Sequence, residues 1–278
     1  MSKNVFITGA TGKVGSELVA ALEGSRLSVR AAVHSVGNAS SLRKSGVEYI
    51  PFDFDATDSI ASALKDIDTL VLITPPDSRQ VDWAIRTIDQ AKAAGVKHVV
   101  RMSVLAAAME PGITLGRWHR TVEAYLKNSG LEYTIVRPSP FMQNFLGMYP
   151  SSSDGFALPV GDAPVNHIHV ADVAAALAAV VTGSGHTSHT YMITGAQPLS
   201  FSQSAAMLSR HFRSITQDQA RNQFAQGRPE WFVEILLELF AAFDSGAVGL
   251  RTSTYEDLTG RSPRLFSDFA KDFGKAAA

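Results

Sequence analysis

Apolar residues in this chain follow two alternating rhythms. Short continuous runs bounded by Gly, Pro or Asp read as buried strands, and apolar positions three and four apart read as amphipathic helices. Val5, Phe6 and Ile7 form the first run, and Val14, Leu18, Ala21 and Leu22 then recur at helical period. Further strands are expected at Leu27–His34, Tyr49–Phe52 and Thr69–Thr74, the last stopped by Pro75 and Pro76. Two more are expected at Lys97–Val104 and Tyr133–Arg137, the second ended by Pro138 and Pro140. Between them lie helical patterns: Ile60, Ala63 and Leu64; Val81, Ala84, Ile85, Ile88 and Ala91, closed by Gly95; and Trp118, Val122, Tyr125 and Leu126, closed by Gly130. Strands alternating with helices predict an α/β fold, a doubly wound parallel sheet of Rossmann type with right-handed crossovers.

Beyond residue 140 the rhythm is less regular. A strand is expected at Val165–Val170, with Asp172 near the start of a helix over Val173–Val181, and a further strand at Thr190–Thr194. Ser200 and Gln203 have the spacing of a capping box for a helix running to Phe212. Phe232, Leu236, Leu239, Phe240 and Phe243 form a helical stripe, as do Phe266, Phe269 and Phe273. The pattern predicts a nucleotide-binding Rossmann domain over 1–195, with 141–164 contributing to the substrate side. A small, mostly helical C-terminal substrate region is expected over 196–278. The polar stretch Ser151–Gly155 reads as a loop within this scheme.

Composition narrows the chemistry. A net charge of −1 over 278 residues provides no broad electrostatic hold on nucleic acid or an anionic membrane. With no cysteine, disulfides, thiol catalysis and zinc–thiolate sites are excluded. The chain enters its first strand almost at once, and no apolar run approaches the ~20 residues of a membrane span. A cytoplasmic protein acting on a small molecule is expected, and a homo-oligomer stays open.

The turn from first strand to first helix carries Gly9, Gly12 and Gly15. In that context one glycine permits the tight turn, one lets a pyrophosphate approach the backbone, and one lets helix pack on strand. The helix N-terminus then offers N–H groups to the phosphates. Gly9, Thr11, Gly12, Lys13 and Val14 are therefore expected at the pyrophosphate. An NAD site usually places an acid at the end of the second strand, yet no carboxylate occurs between Glu23 and Glu48. Arg30, His34, Arg43 and Lys44 lie there with Ser35, Ser40 and Ser41, so NADP(H) is expected over NAD(H), with Arg30, His34 and Lys44 around the 2′-phosphate. Asp53 and Phe54 are placed to flank the adenine. Thr74, Pro75, Ser103, Pro138 and Phe141 are expected to line the nicotinamide end, with Met142, Asn144 and Trp231 as substrate neighbours. His167 and His169 share a strand face, but no third metal ligand stands near them, and no metal is expected.

The run Thr8-Gly9-Ala10-Thr11-Gly12-Lys13-Val14-Gly15 resembles the glycine motif of the NmrA-like branch of the atypical short-chain dehydrogenases/reductases. Trp118–Glu123, Tyr133–Pro138, Phe141–Asn144, His167–Ala174 and Leu258–Arg261 agree with that branch. The resemblance implies a Rossmann fold with a small C-terminal substrate region. It also implies kinship with NADPH-dependent quinone, azo-dye and triphenylmethane-dye reductases, and with regulators that bind the cofactor without turnover. The departure is catalytic. Ordinary members use Tyr-x-x-x-Lys, but none of the six tyrosines here has lysine four residues later, and the matching helix position reads His119-x-x-x-Glu123. His119 is the candidate proton donor, set against a plain surface pair with Glu123. Reducing a quinone leaves a phenolate-type oxygen of pKa ~10, and a cationic dye is simply neutralised by hydride, so neither needs a strong acid. The expected function is hydride transfer from NADPH to a planar, electron-poor acceptor. A redox sensor acting through a protein partner is the alternative, and a sugar-nucleotide epimerase or dehydratase a third. A Ser103–His119–Asp172 hydrolase triad lacks the Gly-x-Ser-x-Gly elbow it would need.

Overall fold

A computed structural model describes residues 3–34, 46–152 and 154–276. The first part of the chain runs β1 (Asn4–Ile7), α1 (Lys13–Ala21), β2 (Ser28–Val33), β3 (Val47–Pro51), α2 (Thr57–Ala63) and β4 (Thr69–Leu72). It continues through α3 (Gln80–Ala93), β5 (His98–Met102), α4 (Thr114–Asn128) and β6 (Glu132–Pro138). With β10 (His189–Ile193) the strands form a seven-stranded sheet in the order β10-β6-β5-β4-β1-β2-β3. The pairings β1–β2, β1–β4, β2–β3, β4–β5 and β5–β6 are all parallel. Strand order reverses between β1 and β4, the position where an open α/β sheet leaves a crevice at its carboxyl ends.

The backbone clusters into two compact units. The first comprises Met1–Ser103, Trp118–Arg137 and Val173–Tyr191. Its strands are covered on both faces, so β1 and β4 read as unbroken apolar runs rather than alternating ones. Phe6, Leu70, Leu72 and Val99 are fully buried and pack with Ile60, Ala84, Ile88, Val122 and Leu126 from the helices. Tyr125 departs from its expected stripe: it is exposed, and its hydroxyl donates to Asp89. β3, at the sheet edge, is only half-buried.

The second unit is assembled from three stretches, Val104–Arg117, Pro138–Asp172 and Met192–Ala278, so the segment before α4 clusters here along with a longer piece around 141–164. It holds most of β7 to α10: β7 (Ser151–Ser152), β8 (Gly155–Leu158), β9 (Val165–Asn166), α5 (Val170–Thr182), which begins here, β11 (Pro198–Leu199) and α6 (Phe201–Met207). β12 (His211–Ser214), α7 (Gln217–Phe224), α8 (Glu230–Asp244), α9 (Thr254–Thr259) and α10 (Phe266–Ala276) complete it. The expected capping box at Ser200 and Gln203 forms, and an identical one at Thr216 and Gln219 starts α7. Two small sheets, β11–β9 and β12–β8–β7, add to the helices.

The strand expected over Val165–Val170 stops at Asn166, because the next residues serve the start of α5. The Ala171 N–H donates to His169 Nδ1 at 3.1 Å and the Val170 N–H to Gln143 Oε1 at 3.1 Å. Asp172 thus does not cap its helix; its carboxylate takes the Tyr255 hydroxyl and the Arg264 main-chain N–H and guanidinium. The core of this unit is aromatic. Phe145 meets Tyr149, Phe156, His167 and Phe266 at ring separations of 5.0–5.4 Å. Among the described residues no helix is long and apolar enough to cross a membrane.

Buried histidines make stability pH-dependent. Burial holds His98 below its ordinary 6.5, and burial lowers His167 to about 3. Folding disfavours the protonated form of both, while the unfolded chain takes up their protons near 6.5. Their contribution is therefore complete above that pH and lost as pH falls. The midpoint of urea unfolding, followed by circular dichroism, is expected to hold steady from pH 8 to 7 and to drop between about pH 6.5 and 5, above the range where carboxylates titrate.

Candidate functional site

The loop after β1 is set by three backbone requirements. Buried Thr8 ties the end of β1 to the end of β4: its hydroxyl donates to the Ile73 carbonyl at 2.9 Å and accepts from the Ile73 N–H at 2.8 Å. Gly9 takes a left-handed φ of +62°, and a Cβ there would stand 3.0 Å from the Ile73 oxygen. A Cβ on Gly15 would lie 2.1 Å from the Gly9 carbonyl oxygen and 2.7 Å from Ala10 Cα, so only glycine lets α1 seat this close to the loop. α1 starts after Gly12 with no side-chain cap, and Thr11, Gly12 and Lys13 are exposed. Val14 packs in the core, so only its main chain can serve a ligand. Desolvation pushes the Lys13 ammonium down from its ordinary value. An uncapped helix start carrying the positive end of its dipole, at the strand-order reversal, fits a diphosphate group.

The residues expected around it fall into distinct settings. His34 is exposed just past the end of β2. Arg30 lies mid-strand beside Phe6, and its guanidinium is committed to Glu48 at 2.9 Å and to the carbonyls of Ala63 and Lys65 at 2.9 and 3.0 Å. It lines a separate cleft of about 480 Å³ with Glu48, Ser59 and Ser62, none of them in the glycine loop. Arg30 is thus withdrawn from the 2′-phosphate role, its position on the pleat placing it short of the strand end. Arg43, Lys44, Ser35, Ser40 and Ser41 lie outside the described residues.

Asp53 is exposed and accepts the Asp55 N–H at 2.9 Å. Phe54 is half-buried and stacks on Trp83, ring centroids 5.5 Å apart. Trp83 in turn donates to Asp55 at 2.7 Å and lies beneath the Arg79 guanidinium. One face of Phe54 is therefore covered by a neighbour that helical periodicity alone did not single out. Thr74 is half-buried and Pro75 exposed, just past β4.

Past the carboxyl end of β5 lies a polar network that joins Ser103 to Glu123 on α4 and Arg137 on β6. Ser103 is fully buried and donates to Glu123 Oε1 at 2.5 Å. Arg137 grips the same carboxylate through Nε at 2.9 Å and through Nη2. With its one proton spent on Glu123, Ser103 can only accept from a further partner. The expected His119–Glu123 surface pair does not form, since Glu123 turns inward to Arg137. His119 is itself buried, with Nδ1 3.4 Å from Arg101 Nη2. Desolvation and the Arg101 charge push it well below its ordinary value, so at neutral pH it is a neutral imidazole rather than the expected acid. Arg101 has no exposure, and burial lowers it to about 10, which leaves it cationic at neutral pH. A lone arginine inside an apolar strand pattern gave no sign of this role.

In the second unit, Pro138 is buried at the end of β6 and Phe141 is half-buried, bridging to Ile168. Met142, 1 % exposed, belongs to the aromatic core, and Asn144 is buried beside the Tyr149 hydroxyl. Their expected contact with substrate gives way to packing, because the turn Met142–Leu146 directs both inward. Trp231 is half-buried and edge-on to Phe232 in the first turn of α8. His167 faces Tyr149 at 3.1 Å while His169 serves α5, so the two are not a metal pair. Among the described residues no three potential metal ligands cluster.

The buried carboxylate supports a direct test. Glu123→Ala leaves the Arg137 guanidinium, 16 % exposed, without its carboxylate, and is expected to cost about 3–5 kcal/mol in urea unfolding. Ser103→Ala removes one neutral donor and is expected to cost about 1–3 kcal/mol. Equal losses in the two variants would show that the ion pair is not the dominant contact.

Residues 9–183 match the NAD(P)H-binding family. The chain is 32 % identical over 277 residues to the NAD(P)H azoreductase of Xenophilus azovorans, covering 96 % of each chain. A crystal structure of an NADPH-dependent quinone oxidoreductase from Escherichia coli, complexed with NADPH, superposes with a TM-score of 0.87 at 25 % identity, covering 97 % of this chain and 99 % of that one. The triphenylmethane reductase of Citrobacter sp., complexed with NADP(H), shares the fold with a TM-score of 0.84 at 24 % identity, covering 96 % and 99 %. With the loop geometry above, these matches establish that the chain belongs to the NAD(P)H-binding family, where its NmrA-like motifs had placed it.

Proposed function

We propose that this protein is an NADPH-dependent reductase that delivers hydride to a planar, electron-poor small molecule, a quinone or an azo or triphenylmethane dye. The observation that carries the reading is the glycine cradle, a loop whose shape depends on the absence of side chains at Gly9 and Gly15. The azoreductase and quinone oxidoreductase it resembles point to the same acceptor class. Preference for the 2′-phosphate rests on the carboxylate-free interval between Glu23 and Glu48 and on exposed His34 at the end of β2.

When bound, the dihydronicotinamide ring supplies the hydride. The chain would hold the diphosphate on the N–H groups of Lys13 and Val14, the Gly12 N–H being taken by the Gly9 carbonyl at 3.0 Å, with Thr74, Pro75 and Ser103 at the carboxyl ends of β4 and β5 for the ring. No group here matches the Tyr–Lys acid. The network that replaces it is closed on itself, with Glu123 held by Ser103 and Arg137. A quinone accepts hydride to leave a phenolate of pKa ~10, which bulk water can protonate, so alignment supplies most of the acceleration.

The test is oxidation of NADPH and NADH against a panel of quinones, azo dyes and triphenylmethane dyes. Turnover is expected with NADPH favoured by at least about tenfold in Kd. Gly15→Ala, which drives a methyl into the Gly9 carbonyl, is expected to abolish nucleotide binding measured by fluorescence titration. Nucleotide binding without turnover on any panel member would overturn the reductase reading.

A further inference from the structure

We propose that buried Arg101 is a positioning residue of this site, holding His119 as the neutral tautomer that carries its proton on Nε2 and so serves as a hydrogen-bond donor rather than an acid. The argument is an inventory of protons. A guanidinium donates and never accepts. Nη1 of Arg101 donates to the Leu72 carbonyl at 3.2 Å, and Nη2 reaches both Thr74 Oγ1 at 3.1 Å and His119 Nδ1 at 3.4 Å. Nη2 has two protons, one for each partner. Nδ1 must therefore present its lone pair, and the single proton of a neutral imidazole is left on Nε2. Protonating His119 would set one N–H against another, beside a cation.

The same contact orders Thr74. Its hydroxyl oxygen accepts from Arg101, so its own proton is left to donate outward. One buried cation thus fixes the donor direction of two side chains, on the carboxyl end of β4 and on α4. The charge that acts on the imidazole is Arg101 on β5, and Glu123, one turn along the same helix, is taken up by Ser103 and Arg137. Arg101 has a buried Nε without a partner, so the guanidinium is not placed there for its own satisfaction.

The consequence for turnover rests on the reductase reading. When hydride adds to a quinone, negative charge grows on the acceptor oxygen. A neutral Nε2–H stabilises that charge by a hydrogen bond and keeps its proton, and the oxygen takes its proton from water. Two electrons and one hydrogen reach the acceptor carbonyl system as hydride, and the solvent proton completes the hydroquinone.

The experiment has two arms. Nitrogen-15 spectra of the histidine-labelled wild-type chain at neutral pH, with and without NADPH, are expected to show His119 protonated at Nε2 and bare at Nδ1. An Nδ1–H tautomer or an imidazolium would overturn the proposal, and this arm needs neither a variant nor turnover. In the second arm, His119→Gln keeps an acceptor for Arg101 and a donor beyond it, and is expected to retain kcat within about threefold. His119→Leu and Arg101→Met are expected to lower kcat on the order of a hundredfold with the KM for NADPH unchanged. Equal loss in the Gln and Leu variants would overturn the donor role. If the chain reduces no acceptor, the reductase reading fails while the tautomer still stands or falls on the spectra.

Discussion

The contact on which the site depends is the approach of α1 to the loop that precedes it. Gly15 sits so close to the Gly9 carbonyl that a single methyl group would occupy the same space. That closeness leaves the N–H groups at the start of α1 uncapped, with the helix dipole behind them. Thr8 secures the other side by bonding its hydroxyl to the Ile73 carbonyl and N–H across the β1–β4 junction. A side chain at Gly15 would force the helix start away from the loop. The shape of the loop is a property of backbone placement, with side chains at Gly9 and Gly15 excluded by the close approach.

The chemistry beside it is governed by how three charges are buried. Glu123 and Arg137 neutralise each other, and Ser103 completes the carboxylate's hydrogen bonds. Such a pair adds modest net stability but is costly to break, so it fixes geometry more than it strengthens the fold. Arg101 is the exception, a cation bonded to a carbonyl, a hydroxyl and an imidazole rather than to a carboxylate, with its Nε left without a partner. Burial, and the Arg101 charge after it, push His119 well below its ordinary value, so it is neutral at neutral pH. A site without a strong acid suits acceptors whose reduced forms are themselves weakly basic, and disfavours simple ketones, whose alkoxides demand one.

The second unit solves a different problem. Its rings meet mostly edge-on or tilted around Phe145, an arrangement that favours aromatic pairs and fills irregular space between short helices. His167 is carried inside as one more ring, its hydrogen bond to Tyr149 serving the packing. Met142 and Asn144 belong to the same interior, so the segment after β6 is anchored by burial on one side.

The sequence by itself determined the strand and helix order as far as β6, the glycine turn and the absence of the Tyr–Lys pair. Those properties are local: a strand buried on both faces must be apolar, a turn at positive φ favours glycine, and a missing residue is missing in any fold. The helix expected to run to Phe212, by contrast, ends at Met207 and gives way to β12. Tertiary structure decided which polar side chains meet. Arg30 lies within β2 and His34 just past its end, yet Glu48 and the carbonyls of Ala63 and Lys65 hold the first over a flanking cleft while the second stays exposed. His119 and Glu123 sit one turn apart on α4, yet each turns to an arginine on a different strand. Helical and strand periods state which face a residue occupies; what waits opposite that face comes from segments distant along the chain, and only their packing supplies it.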